Sequence, residues 1–397
     1  MTATTSSALA RYVAVVQFLF LCSWTAYVVF LPALLESVGI AREMTIWLLL
    51  VDQILFAVFD VVAGFAADRA RRAYARIGPW LLGATLLSCA SFAALPWLAG
   101  PADDTWRAPL LLALTALWAI TSSALRAPVF AMITRHAARP AIPRLASTML
   151  MGTALASALA PYLGTVLSGL DPRLPFALSS AALAALSIGL IKAERHASSE
   201  TEPAREARPL PQFRLPTLFG LIMLAALGFQ ADANLNARPR YLLDASANEL
   251  PWLLPIFWIG FHLALTQTGR LTRAVGSTTA LALGCAGGAV GAALTGLAPG
   301  LAAAASGQLI AGIGWGVSLA AVFGLVGEFG SARGQHGRLT GILFALLALA
   351  TFVRLGVSAS GVPRQADWLP WILAFPVLAW LIVALAAGLA ARRMPTA

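Results

Sequence analysis

Several ionisable side chains of this chain stand inside long apolar runs. There a charge costs from about 3 to well over 10 kcal/mol unless it faces water or a partner. Asp52 and Asp60 share one run, eight residues apart, which on a helix is about 80° of rotation and roughly 12 Å of rise. They occupy one broad face and cannot touch. Arg126, in Ser122-Ser123-Ala124-Leu125-Arg126-Ala127-Pro128, stands near the middle of another run. A buried arginine demands a carboxylate, and Asp60 or Asp52 is the economical choice. Such a pair is either a structural ion pair or a site for protons or anions, since intramembrane charges tend to mark pathways.

Gln230, Asp232, Asn234 and Asn236, followed by Arg238, Pro239 and Arg240, form the most polar stretch in any apolar run. Alternate spacing is not one helical stripe, so a distorted or broken helix is expected, as is tolerated where backbone lines a cavity or is buried in protein. The plainer reading is the outer mouth of a helix, with Asp232 and Arg238 as a rim pair. His262 follows Trp258 and Gly260; an imidazole can carry a proton, although a lone histidine is more often a core residue. Arg354 either pairs with Asp232 or Glu328 or binds an anionic solute group. Cys22, Cys89 and Cys285 have no metal-type spacing and read as small core residues. No phosphate-cradling loop, nucleophile elbow or His-Glu-x-x-His is found, so neither an ATP-driven pump nor an enzyme is expected, and neither cofactor nor metal.

The elements that must position these residues follow from composition. Hydrophobic residues make up 59% of the 397 and charged residues only 11%, where a soluble domain is roughly 25% charged. With about 20 apolar residues per span, the chain accommodates twelve transmembrane helices. They fall near 12–34, 44–66, 79–98, 109–133, 145–168 and 174–193, then 215–237, 250–268, 276–296, 299–326, 339–358 and 368–391. An all-α membrane protein is expected, with two six-helix bundles at 1–193 and 215–397. The polar segment 194–214 is the linker between them. The first ten residues lack a basic region and cleavage site, so the first run is expected to be a retained span.

Arginines assign the orientation, because short loops rich in them stay cytoplasmic. Loops on the side of the N-terminus hold Arg69, Arg71, Arg72, Arg76, Arg135, Arg139, Arg144, the linker's basic residues, Arg270, Arg273, Arg333, Arg338, Arg392 and Arg393. Opposite loops hold Arg42, Arg107, Arg173, Arg240 and Arg364. Both termini are therefore expected in the cytoplasm of a bacterial-type inner membrane. The net charge of +10 reflects topology, and no nucleic-acid partner is expected because no basic stripe forms.

Between the second and third runs stands Gly64-Phe-Ala-Ala-Asp68-Arg69-Ala-Arg71-Arg72. It resembles the cytoplasmic loop signature of the major facilitator superfamily, at the position where that family carries it. The resemblance implies secondary transport, with Gly64, Asp68, Arg69 and Arg72 belonging to a conformational gate in which the aspartate latches the first half against span eleven. Gly269-Arg270-Leu-Thr-Arg273 looks like the worn copy expected in the second half of such transporters. Phe59-Asp60 through Gly78-Pro79-Trp80 is similar to the glycoside, pentoside and hexuronide cation symporters. Their first intramembrane carboxylate is replaced by Phe56, which argues against a two-carboxylate sodium site.

The function expected is a secondary active transporter that moves a small solute, a sugar, an organic anion or a drug-like molecule, by alternating access. The coupling ion is expected to be the proton, with Asp60 its carrier, and the protein a monomer. Two alternatives are weighed: a non-transporting receptor or scaffold on the same fold, and a transition-metal importer. The latter would want Met or Cys pairs at helical spacing, whereas Met223 stands alone and residue 266 is Thr.

Overall fold

The computed structural model describes residues 2–74, 78–99, 105–135, 137, 141–198, 213–297 and 299–392, and among these no strand forms. The first half comprises α1 (Thr2–Ser37), α2 (Thr45–Tyr74), α3 (Gly78–Ala94), α4 (Arg107–Ser122), α5 (Ala127–Arg135), α6 (Ile142–Leu167) and α7 (Arg173–Ser198). The second comprises α8 (Leu215–Phe229), a π-helix (Gln230–Asn236), α9 (Ala237–Tyr241), α10 (Leu250–Leu253), α11 (Pro255–Leu297), α12 (Leu301–Arg333), α13 (His336–Ala359) and α14 (Leu369–Arg392). α7 continues past residue 193 into the expected linker, of which 199–212 lie outside the described residues.

Among the described residues, ten helical segments are long and apolar enough to cross a membrane, against the twelve expected. One of them, Ala247–Leu297, has 51 residues, more than twice what a hydrocarbon layer of about 30 Å requires. Inside it Gly276 has φ 83° and ψ 157°, a backbone that L side chains rarely adopt. The glycine divides α11 into 255–275 and 277–297. The apolar part of α7, Arg173–Gly189, is shorter than a full span.

Large apolar side chains cover the outer faces of the helices, such as Val51, Val58 and Val62 on α2 and Leu378, Leu385 and Leu389 on α14. Lipid is as apolar as leucine, so helices here associate through close packing of small residues. Gly284 and Gly291 on α11 meet Ser318, Gly314, Ala311 and Gly307 on α12, and a Cβ added at Gly284, Gly291, Gly307 or Gly314 would overlap the facing helix.

The two halves meet along two principal lines. α13 runs along α2, where Gly337 faces the Gly64 backbone and Gly341 faces that of Asp60. α11 runs along α6, where Gly269 lies against Arg144. Gly64 and Gly269 are thus points of close approach on the two lines.

Candidate functional site

Span four breaks in its middle. α4 ends at Ser122, a 3-10 turn covers Ser123–Leu125, and Arg126 leaves helical geometry with φ −107° and ψ −87° before α5 begins. Pro128 explains the restart: it has no N–H to continue the ladder and suits the first turn of a new helix. Carbonyls freed at the break need donors, and Gln17 of α1 gives its amide N–H to the Leu125 carbonyl at 2.7 Å.

The break presents Arg126 to α2. Its Nη2 lies 2.9 Å from Asp60 Oδ2, and its guanidinium carbon sits 4.1 Å from the centre of the Phe56 ring. Phe56, one turn before Asp60, therefore stacks on the cation that Asp60 neutralises. Asp60 is fully buried, and its Oδ1 and the Nε of Arg126 have no hydrogen-bond partner. Asp52 takes no part in this pair. Its Oδ2 accepts a hydrogen bond from Tyr27 Oη at 2.8 Å, inside rings of Trp24, Tyr27 and Trp118.

The helix that begins as α8 widens into a π-helix over Gln230–Asn236, a rare form that recurs at functional sites. Its polar side chains point three ways. Gln230 donates to Thr351 Oγ1 of α13 at 2.9 Å, and Asn234 donates to Gln230 Oε1 at 3.2 Å. Asp232 turns the other way and accepts from Gln308 of α12 at 3.1 Å. Asn236 donates to the Ile372 carbonyl of α14 at 3.0 Å. The Asp232–Arg238 rim pair does not form: Asp232 is buried and Arg238 is exposed. Ser277 donates to Glu328 at 2.8 Å, and neither Asp232 nor Glu328 pairs with Arg354. His262 is half-buried, and its Nδ1 has no hydrogen-bond partner.

At one end of the α2–α13 line, Asp68 accepts the backbone N–H groups of Gly337 at 2.9 Å and Arg338 at 2.8 Å. These are first-turn donors of α13, and Gln335, the residue at its N-cap, supplies no side-chain acceptor. A carboxylate from the other half fills that role, favoured by the positive end of the helix dipole. Arg338 lies over the Phe65 ring at 4.9 Å, and His336 Nδ1 is 3.1 Å from Thr134 Oγ1 of α5. Arg69 is exposed, and the side chain of Arg72 lies outside the described residues. Arg270 is exposed and donates to Gln267. Sequence reasoning missed Gln17, Tyr27 as a partner of Asp52, Gln308, Thr351, His336 and Thr134. Each works through a contact distant in sequence, without a motif.

The profile of the Major Facilitator Superfamily matches residues 13–355, and the chain belongs to that superfamily. No curated protein matches. The human organic anion transporter MFSD10 (TETRAN) is similar in structure, with TM-score 0.70, 16% identity, and coverage of 98% of this chain and 99% of that one. A bacterial homologue of the iron transporter ferroportin in an outward-facing state has TM-score 0.73 and 17% identity, covering 97% and 100%. The E. coli fucose:proton symporter has TM-score 0.68 and 12% identity, covering 96% and 98%. Family and fold place the chain among multi-pass membrane transporters rather than enzymes.

Proposed function

We propose that the chain is a monomeric secondary active transporter that moves a small solute by alternating access, drawing on protons bound at Asp60. Dividing the 51-residue segment at Gly276 and including α7 brings the spans to twelve, supporting two six-helix bundles at 1–193 and 215–397. The arginine distribution supports cytoplasmic termini in a bacterial-type inner membrane. Asp68, Arg69 and Gly64 then form, with Arg72, Gly269 and Arg270, a gate on the cytoplasmic side. The Asp68 contact to α13 corresponds to that side being closed.

The observation that carries the reading is the Asp60–Arg126 pair, buried at a broken membrane helix on the line where α2 meets α13. A proton added to Asp60 removes the negative charge that holds Arg126, and α2, beside its contact with α13, loses its ion pair to the break after α4. Asp52 and His262 are further groups able to carry a proton in the spans, while Gln230, Asp232, Asn234 and Asn236 supply polar contacts from the second half.

The test is uptake into proteoliposomes under an imposed pH gradient, using a solute found by thermal-shift screening of sugars, organic anions and drugs. Asp60→Asn, alone and combined with Arg126→Gln, is expected to abolish uphill accumulation in protein that reconstitutes normally. Uphill uptake retained by both variants removes Asp60 from the mechanism.

A further inference from the structure

Arg354 has no ion pair among the described residues, although it stands in a membrane helix. It is half-buried, and its Nε is shielded from solvent without a hydrogen-bond partner. The two carboxylates expected to meet it are engaged elsewhere, Asp232 by Gln308 and Glu328 by Ser277, and the buried Asp60 and Asp52 bond to Arg126 and Tyr27. An uncompensated guanidinium at this depth costs several kcal/mol or more, and it persists only where a counter-charge reaches it.

The direction of Arg354 follows from helix geometry. Leu349 and Val353 form the exposed, apolar face of α13. Arg354 is turned about 100° from Val353, towards the side that holds buried Ala350. Thr351, one turn before Arg354, is the residue bonded to Gln230 of the π-helix. Further on, Asn236 reaches the Ile372 carbonyl near the start of α14, just past the end of α13; the π-helix and α13 therefore run in the same sense, which puts Asn234, one turn after Gln230, near the level of Arg354. Asn234 is exposed, and its single side-chain bond, to Gln230, leaves its amide oxygen and one N–H available. The small residues Gly337, Gly341, Ala345 and Ala348 that bring α13 against α2 end before this level.

On the transporter reading, we infer that Arg354 is the anchor for the carboxylate of an organic anion, with Asn234 offering a second polar contact to the same solute. The guanidinium fork matches a carboxylate with two parallel N–H donors. A neutral sugar leaves the cation uncompensated, so the solute class narrows to organic acids in their ionised form.

Thermal unfolding of the purified full chain in detergent micelles tests this with benzoate, 3-phenylpropionate and salicylate, each against its own amide, and with chloride and phosphate as inorganic controls. At least one carboxylate is expected to raise the apparent Tm in a dose-dependent way, while its amide does not. Arg354→Gln should weaken that carboxylate by about tenfold or more, and Arg354→Lys should retain part of the affinity. The empty Arg354→Gln protein should be at least as stable as the parent, because no protein group loses a partner; a clear fall in Tm assigns Arg354 to the fold and overturns the inference. It is equally overturned if no carboxylate stabilises the protein, if the amides or inorganic anions do so as well, or if Arg354→Gln binds undiminished. Binding in micelles needs no gradient, so failure of the Asp60 test with binding intact rejects coupling alone.

Discussion

A guanidinium keeps its proton inside a membrane, whereas a carboxylate can be neutralised by taking one up. The two halves of the Asp60–Arg126 pair are therefore unequal in what their loss costs. Asp60→Asn leaves a permanent cation with only the Phe56 ring and the neutral Ser123 hydroxyl beside it and is expected to destabilise by about 3 to 5 kcal/mol. Arg126→Gln should cost clearly less, and the double variant should recover most of the loss. Thermal unfolding of the three proteins in micelles checks the order, and equal losses for the two single variants would contradict it. That Arg126 needs a carboxylate of the second run was legible, because the two apolar runs carry charges of opposite sign, but the choice between Asp60 and Asp52 was open until the geometry paired Arg126 with Asp60. Gln17 and Gln308 were not legible, since a neutral amide costs little to leave unassigned and their partners lie 108 and 76 residues away.

Among the elements, apolar runs located the helices well, while the breaks within them depended on tertiary partners. Polar spacing around Gln230 pointed to a distorted helix, but a π-helix needs neighbours that take its side chains in three directions, here α13, α12 and α14. The break at Arg126 had a visible sign in Pro128, yet the donor that makes it tolerable comes from α1. The start of α13 is a further case, because its cap belongs to α2. Asp68→Asn preserves the shape and removes the charge, and an amide oxygen can hold one of the two N–H groups. A loss of about 1 kcal/mol is expected, shifting the population roughly fivefold towards separation of α2 and α13. Gly64→Val should shift it further, since even a Cβ overlaps the Gly337 backbone. Distances between spin labels on the two halves measure both shifts, and an unchanged distribution in Gly64→Val would refute this account of the contact.

Across the whole molecule the two contact lines are built alike but closed differently. Gly64 on α2 and Gly269 on α11 each let a helix of the other half approach closely, as expected of repeated halves. Only the first line carries an acidic residue beside its glycine, and there the carboxylate reaches across to the start of α13. The second line has Arg270 and Arg273, which bond to Gln267 and the Gly269 carbonyl on their own helix. The contact between the halves is thus latched at one line and merely packed at the other. If the halves must part here for solute to pass, tying the latched line alone should stop transport without disturbing a site reached from the opposite side. The check is a disulfide between Phe65→Cys and Arg338→Cys, residues whose side chains touch across the line, in a background where Cys22, Cys89 and Cys285 are replaced. The oxidised protein is expected to lose uptake, to bind solute with affinity within a few-fold of the reduced form, and to regain uptake on reduction. Transport that continues with the disulfide formed would mean that these two helices need not separate, and the alternating-access reading would have to be abandoned for this pair of halves.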